Sequence, residues 1–243
     1  FGDFITYAFD QTINNISKFY HMYNKQFDLP IRIRTPMGGG RGYGPTHSQS
    51  LEKYLCGIDN LAVVALTSLD NPNSTLSALH DYRSPFIIIE SKVDYTKNIF
   101  VCPKQLEITR YNHDFGEILI RPKNDKPNAT LISYGEHARF LADNYDELFY
   151  ETDLIFQILC LTKLHPLNFD LISKICMSTD QVVICEGGST SYGIGCQIKS
   201  TLSNSINPRK IYIVGSDNVP IPSPRVLETL HSLNIDKIKQ CFN

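Results

Sequence analysis

The sequence predicts an α/β fold of two domains, each with a sheet between two layers of helices. Short runs that are apolar throughout, such as Leu61–Leu66 and Pro85–Glu90, are typical of strands buried on both faces of a parallel sheet. Segments with helical periodicity separate these runs. The alternation weakens from Ser91 to Pro127, where charged residues, Pro and Asn accumulate, and then restarts. This interruption predicts a domain boundary.

The first half begins with a predicted helix over Tyr7–Tyr23, because its apolar residues recur at intervals of three and four. Pro30–Thr35 alternates and ends at Pro and Gly, which indicates a strand. A glycine-rich loop over Met37–His47 follows it. The remaining predicted elements are a helix over Ser48–Cys56, a strand over Leu61–Leu66, a helix over Asn73–His80 and a strand over Pro85–Glu90.

The second half alternates more regularly between apolar runs and helical segments. Polar or glycine-containing turns separate its elements, as expected for βα units. The predicted strands are Ala129–Tyr134, Asp153–Leu161, Gln181–Cys185 and Arg209–Val214. The predicted helices are Glu136–Phe149, Asn168–Met177, Tyr192–Leu202 and Pro224–Leu233.

These elements divide the chain into a first domain over residues 1–103, a linker over 104–126 and a second domain over 127–243. The chain opens with four aromatic residues among its first nine and has no initiator Met or basic leader. We therefore expect the sequence to begin part-way through a domain, so that the first domain lacks its opening strands.

Composition argues against several classes of protein. A net charge of −2 provides no electrostatic footprint for nucleic acid or for an anionic membrane. No apolar run approaches the ~20 residues that span a bilayer. The seven cysteines include no CxxC pair, and most lie in apolar runs typical of buried thiols. These features predict a reducing compartment, either the cytoplasm or a mitochondrial matrix.

The loop over Met37–His47 has five glycines within seven residues. It follows a strand, where open α/β sheets bind ligands, but it matches neither a GxGxxG fingerprint nor a P-loop. A ligand-binding loop and a flexible connector are both open. His47 precedes the predicted Ser48 helix, whose dipole would favour a neutral imidazole able to exchange protons with a ligand. A purely structural, helix-capping role for His47 is the alternative.

A second strand-to-helix turn, Glu186–Gly195, places glycines on either side of hydroxyl residues. Its amide groups could bind an anion, although a close packing turn is the favoured interpretation. The remaining candidates are expected to be structural: His137, His165 and His231 lie near helix or turn boundaries.

Four segments together resemble the beta subunits of thiamine-diphosphate-dependent 2-oxoacid dehydrogenases, which decarboxylate pyruvate or branched-chain 2-oxoacids. They are Phe1–Ile5, Ala8–Asn15, Arg41–Ser50 and Cys185–Gly188. Leu161–Leu167 resembles the interdomain segment of that family, and Gly215–Pro222 its closing motif. The resemblance covers essentially the whole chain, and the Thr46-His-Ser-Gln block is its most specific part.

The resemblance implies a pyrimidine-binding, transketolase-like domain followed by a transketolase C-terminal domain. It implies thiamine diphosphate as cofactor, with the aminopyrimidine ring on this chain and the diphosphate and Mg²⁺ on an alpha subunit. Phe4 matches the aromatic residue against the pyrimidine ring, and His47 the active-site histidine that faces substrate and lipoyl group. The implied partners are the alpha subunit, a second copy in an α2β2 assembly, and a lipoylated acyltransferase core.

Two departures from the family pattern affect the site. The family's activating glutamate lies before the segment that matches Phe1, outside these 243 residues. A K⁺ site is common in the family at the loop matching Leu79–Pro85, but here that loop is one residue longer and places Arg83 near a ligand position. Its guanidinium would compete with K⁺.

Two other functions stay open at the level of the sequence. One is a carboligase or decarboxylase of the same build that uses no lipoyl acceptor. The other is a non-catalytic assembly subunit. The sequence does not specify which 2-oxoacid is used.

Overall fold

The first of two sheets in the computed structural model, which describes residues 1–111, 116–205 and 210–242, contains four strands. Its order is β1-β3-β2-β8, and β1, β3 and β2 are parallel. The strands are β1 (Arg32–Met37), β2 (Ala62–Ala65), β3 (Phe86–Ser91) and β8 (Lys163–His165). The short β8, which the sequence did not predict, runs antiparallel to β2 and joins the second half of the chain to the first sheet.

The second sheet contains six strands in the order β10-β9-β6-β7-β5-β4. Its four parallel strands were all predicted, and β6 and β7 are fully buried because both faces are covered. The strands are β4 (Leu106–Arg110), β5 (Ile118–Pro122), β6 (Ala129–Tyr134), β7 (Phe156–Leu161), β9 (Gln181–Ser189) and β10 (Lys210–Ser216).

The segment over residues 104–126, predicted as a linker, contains β4 and β5, which extend the second sheet as an antiparallel edge. Charged residues obscured this hairpin in the sequence, yet an edge strand tolerates them because one face meets solvent. Residues 112–115 between the two strands, and Arg209 at the predicted start of β10, lie outside the described residues. The division into two domains stays a prediction.

The predicted helix over Tyr7–Tyr23 is wrong in form. The segment is a 3₁₀ helix over Gly2–Ala8, a π-helical turn over Gln11–Ile16, and the short helix α1 (Phe19–Met22). Side-chain hydroxyls compete for the helical carbonyls, since Thr12 donates to the Ala8 carbonyl and Ser17 to the Ile13 carbonyl, each at 2.8 Å. Such bonds back to the preceding turn favour local irregularity.

Most of the other helices follow the predictions with shifted ends, and the short helix over Ile235–Lys239 was not predicted. The single helix predicted over Glu136–Phe149 is two helices, because the Asn144 side chain donates to the Phe140 carbonyl at 2.8 Å and the backbone turns there. The helix predicted over Ser48–Cys56 is reduced to one turn, and a second turn precedes it. The helices are α2 (Gly44–His47), α3 (Glu52–Leu55), α4 (Pro72–Ala78), α5 (Gly135–Asp143), α6 (Tyr145–Thr152), α7 (Phe169–Cys176), α8 (Ile194–Ser205), α9 (Arg225–His231) and α10 (Ile235–Lys239).

One apolar cluster packs the two sheets together, since it contains Val63 and Ile87 of the first and Ile132 and Leu159 of the second. The segments that leave the carboxyl ends of both sheets consequently meet. These are the glycine-rich loop after β1 and the turns after β3, β6, β9 and β10. Among the described residues, every helix is too short or too polar to cross a membrane.

Candidate functional site

The glycine-rich loop joins β1 to α2 and takes backbone conformations that favour glycine. Gly38, Gly40, Gly42 and Gly44 have φ angles of +90°, +82°, +73° and +72°. A residue with a Cβ is strained in this region. The loop therefore follows a path that its glycines specify, with one side facing the interior and one facing the surface.

His47 lies at the surface side, as the last residue of α2. Its Nδ1 is 3.0 Å and 3.1 Å from the two carboxylate oxygens of Asp3. The predicted position of His47 at a helix N-terminus is wrong, because His47 is the last residue of α2 and its ring lies beside the Asp3 carboxylate. The dipole argument for a neutral ring does not apply.

Asp3 is the site residue that sequence reasoning missed. The motif Phe1–Ile5 contains it, but nothing in the spacing of the two residues indicates that a 3₁₀ helix places Asp3 against α2. The Asp3 carboxylate accepts a hydrogen bond from Nδ1–H and thus selects the tautomer whose Nε2 lone pair is directed away from Asp3. Asp3 orients the imidazole.

Aromatic rings surround His47. Phe1 stacks on the imidazole with centroids 4.0 Å apart, and the ring of Phe4 lies 5.9 Å away. Phe4 is 53% exposed and stacks in turn on Tyr7, which is 87% exposed. Exposed rings do not stabilise the free chain, because they bury little apolar surface. Their exposure is typical of a surface that another molecule covers.

The interior side of the loop packs on carboxylates. One Glu228 oxygen accepts a 2.6 Å hydrogen bond from the Gly42 amide, and a Cβ on Gly39 would lie 2.9 Å from the other. A Cβ on Gly38 would lie 2.7 Å from Glu136, which accepts a hydrogen bond from the Ser91 hydroxyl. These glycines therefore let the chain's own side chains approach the backbone. This structural use was not among the alternatives drawn from the sequence.

Burial changes the proton affinity of the groups beneath the loop. It raises the pKa of Glu136 to about 7, although the Ser91 hydrogen bond opposes the shift. Burial also lowers the pKa of the neighbouring His137, while the Glu52 carboxylate acts in the opposite direction. Both shifts favour the uncharged forms in a poorly solvated region.

The turn over Glu186–Gly195 is a packing turn, as favoured from the sequence. Glu186 is buried, accepts a 3.3 Å hydrogen bond from the Gly195 amide at the start of α8, and lies where a Cβ on Gly193 would be. Burial raises the pKa of Glu186 to about 7. A carboxylate already takes the place that an external anion would need.

The other candidate residues lie apart from His47. His231 is buried near Asp217, and His165 is in the short strand β8. Asp81 and Arg83 are both exposed in the loop over Leu79–Pro85. All seven cysteines are free; three are buried, three are partly buried and Cys196 is exposed, so fewer are buried than the apolar runs predict.

Among the described residues, no group of three or more His, Cys, Asp or Glu side chains could hold a metal ion. The 243-residue sequence also lacks a GDG motif followed by Asn, the pattern expected for a diphosphate and its Mg²⁺. The exposed ring of Phe4 and the imidazole of His47, which Asp3 orients, instead form one aromatic surface.

The fold is of the transketolase-like α/β class. A solved structure described as a split gene transketolase, an inactive beta4 tetramer, matches the whole chain and 72% of its own length, with a TM-score of 0.71 and 16% identity. That likeness shows the fold. No protein-family model matches the chain.

Sequence relatives supply the particular class. The pyruvate dehydrogenase E1 component beta subunit of Staurastrum punctulatum is 26% identical over 98% of this chain and 71% of its own length. The mitochondrial beta subunit of Bos taurus is 24% identical over 93% of this chain and 63% of its own length. The 3-methyl-2-oxobutanoate dehydrogenase subunit beta of Mycobacterium tuberculosis is 24% identical over 99% of this chain and 68% of its own length. These relatives confirm the predicted resemblance to the beta subunits of 2-oxoacid dehydrogenases.

Proposed function

We propose that this chain binds the aminopyrimidine ring of thiamine diphosphate and presents His47 to a 2-oxoacid and then to a lipoyl group. An alpha subunit would hold the diphosphate and Mg²⁺. The observation that carries the proposal is the Asp3–His47 pair beside the half-exposed ring of Phe4. An oriented imidazole and an uncovered aromatic face on one surface suit a ring-shaped ligand that reacts.

Phe4 and His47 fit the ring half of the cofactor. The Phe4 ring is open on the surface, so a planar heterocycle can stack on it. The Asp3 carboxylate accepts the hydrogen bond from Nδ1 of His47, and Nε2 makes no hydrogen bond to the described residues. Nε2 is therefore free to accept a proton from a reacting group or to return one.

Bound thiamine diphosphate would supply the electron sink that decarboxylates a 2-oxoacid. The contribution of this chain is orientation and proton exchange. Asp3 fixes the rotation and tautomer of the His47 ring, and Phe1 stacked on the imidazole limits its motion. General acid–base groups held in this way typically contribute 10²–10⁴-fold to a rate.

The proposed assembly is an α2β2 heterotetramer that meets a lipoylated acyltransferase core, in the cytoplasm or a mitochondrial matrix. The exposed rings of Phe4 and Tyr7 support an assembly because a partner would cover them. Arg83 is exposed in the loop over Leu79–Pro85, and its guanidinium would compete with K⁺ for that site. We therefore propose that the activity does not depend on K⁺ bound in this loop.

The experiment is a comparison of His47→Ala and Asp3→Asn in the assembled enzyme, with the activating glutamate present. We expect His47→Ala to lower the single-turnover rate by 10²–10⁴-fold with cofactor affinity near normal. Asp3→Asn should cost at least tenfold but less than His47→Ala, since Asp3 acts through the imidazole and a misoriented or wrong tautomer remains partly active. Its pH–rate profile should shift as well.

The melting temperatures of the same variants decide between catalysis and structure. A structural His47 would lower the melting temperature and leave turnover per folded enzyme intact, and that outcome contradicts the proposal. Assays with and without a lipoylated acceptor then test the transfer step. Product formation that ignores the acceptor would instead support a carboligase or decarboxylase.

A further inference from the structure

A cavity of about 210 Å³ lies on the interior side of the glycine-rich loop, away from His47. Gly39, Gly40 and Ser48 line it from the first half of the chain. Glu136 and Glu228 line it from the second half. The proposed reaction uses none of these side chains.

Two buried polar atoms at this cavity have no hydrogen-bond partner among the described residues. They are the hydroxyl oxygen of Ser48 and the Oε1 atom of Glu228, whose residues are 2% and 0% exposed. A Cβ on Gly39 would lie 2.9 Å from Glu228 Oε1 and 3.7 Å from Ser48 Cβ, so the two side chains approach one point. Buried polar atoms without partners are rare and indicate a missing ligand or water.

The charge of Glu228 is not compensated. No ion pair among the described residues includes Glu228, and its other oxygen accepts only the Gly42 amide. Lys97 reaches the cavity wall, but its ammonium lies 3.7 Å from Asp94 and 3.5 Å from Asp143. His137 is buried and its pKa is lowered, while Glu136 adds a second carboxyl group. Lys97 is therefore the one lysine or arginine among the described residues that line the cavity, and it pairs with Asp94 and Asp143 rather than with Glu228.

We propose that this cavity binds a small monovalent cation, either K⁺ or an ammonium-type ion, through Glu228 Oε1 and the Ser48 hydroxyl. Carboxylate and hydroxyl oxygens are hard ligands that suit such ions. A single positive charge matches the Glu228 carboxylate. A divalent ion would require more acidic ligands than the described residues provide.

The ion would also fix the active-site loop. Glu228 accepts a hydrogen bond from the Gly42 amide in the middle of the loop, and Ser48 directly follows His47, so a cation between Glu228 and Ser48 would tie both segments to α9. An effect on turnover would rest on the proposed function, but binding of the ion does not. The experiment below therefore uses no activity readout.

Thermal melting of the full chain at constant ionic strength, balanced with choline chloride, tests the site. We expect a saturable rise in melting temperature on the order of 5 °C with KCl or ammonium chloride. Ser48→Ala should weaken the apparent affinity at least tenfold, and Ser77→Ala, at an exposed serine of α4, should leave it unchanged. Methylammonium chloride distinguishes a K⁺ site from a site for an ammonium-type ion, since only the second accepts the added methyl group.

Ser48→Ala is the main variant because the hydroxyl it removes makes no hydrogen bond among the described residues, whereas Glu228→Gln also alters the Gly42 contact. Anomalous scattering from Rb⁺-soaked crystals locates the ion. A peak between Ser48 and Glu228 supports the proposal. A peak only in the loop over Leu79–Pro85, or a K⁺ response equal in Ser48→Ala and wild type, overturns it. A K⁺ response seen only in Lys97→Met would overturn it too, by making the Lys97 ammonium the resident cation.

Discussion

The interior side of the glycine-rich loop contacts the chain's own carboxylates beside a small cavity, whereas its surface side carries exposed aromatic rings. On the interior side, Glu228 binds the Gly42 amide and Glu136 contacts Gly38, with both carboxyl groups beneath the loop. On the surface side, Asp3 orients His47, and the Phe4 ring stays about half exposed. The glycine-rich loop thus lies between buried carboxylates on one side and exposed aromatic rings on the other.

This difference separates the requirements of folding from those of function. The glycines on the interior side are needed by the fold, because a side chain there would meet a carboxylate or adopt a strained backbone. The rings on the surface side contribute little to the stability of the free chain. Substitutions on the two sides should therefore change different measurements.

The largest effect on stability is expected on the interior side. Gly38→Ala introduces a Cβ at a φ of +90° and 2.7 Å from Glu136, so we expect the free energy of unfolding to fall by about 3 kcal/mol. Gly57→Ala is the matched control, since no atom lies within 4 Å of its added Cβ, and should change stability by less than about 0.5 kcal/mol. Denaturant unfolding measures both. Equal losses of stability in Gly38→Ala and Gly57→Ala would show that the interior side of the loop does not require its glycines.

A smaller, pH-dependent effect is expected at Glu186. Burial raises its pKa from an ordinary value near 4.5 to about 7, so the folded protein holds the proton more tightly than the unfolded chain. This contribution is fully present below pH 4.5 and is lost as the pH rises through 7. Glu186→Gln removes this titration. The free energy of unfolding of the variant, relative to that of wild type, should therefore increase by roughly 2 kcal/mol as the pH rises from 5 to 8.

Urea unfolding at a series of pH values measures this difference. Glu147→Gln, at an exposed carboxylate of α6, is the control and should reproduce the wild-type pH profile. A Glu186→Gln profile parallel to that of wild type would show that Glu186 ionises in the folded protein without cost.

The smallest effect is expected at Phe4, on the surface side. Phe4→Ala removes a stacking face worth roughly 0.5–1.5 kcal/mol, so cofactor affinity in the assembly should fall by up to about tenfold. Stability should change little because the ring is 53% exposed. Tyr150→Ala, at an 81% exposed ring of α6, is the control. A variant that unfolds while cofactor affinity per folded molecule is unaltered would assign Phe4 to the core.

The sequence was sufficient to predict the buried parallel strands, whereas the role of His47 stays a prediction. An apolar run such as Leu61–Leu66 predicts a strand that is buried on both faces, as β2 is. His47 was found through its glycine context and motif. The sequence did not point to Asp3 or Glu228, because their roles depend on which distant segments meet after folding. Asp3 is 44 positions from His47, and Glu228 is 186 positions from Gly42. The hairpin of β4 and β5 was missed because the edge strand β4 is only partly buried and charged, and the apolar run of β5 is only three residues long.

The central claim is that this chain supplies only one half of a thiamine-diphosphate site. Calorimetry with thiamine diphosphate and Mg²⁺ tests it most directly on the chain alone, on its alpha subunit alone and on the mixture, with light scattering to follow assembly. The account predicts saturable binding by the mixture, far tighter than by either subunit, together with formation of a heterotetramer. A stable monomer of this chain that binds the cofactor tightly by itself would contradict the account.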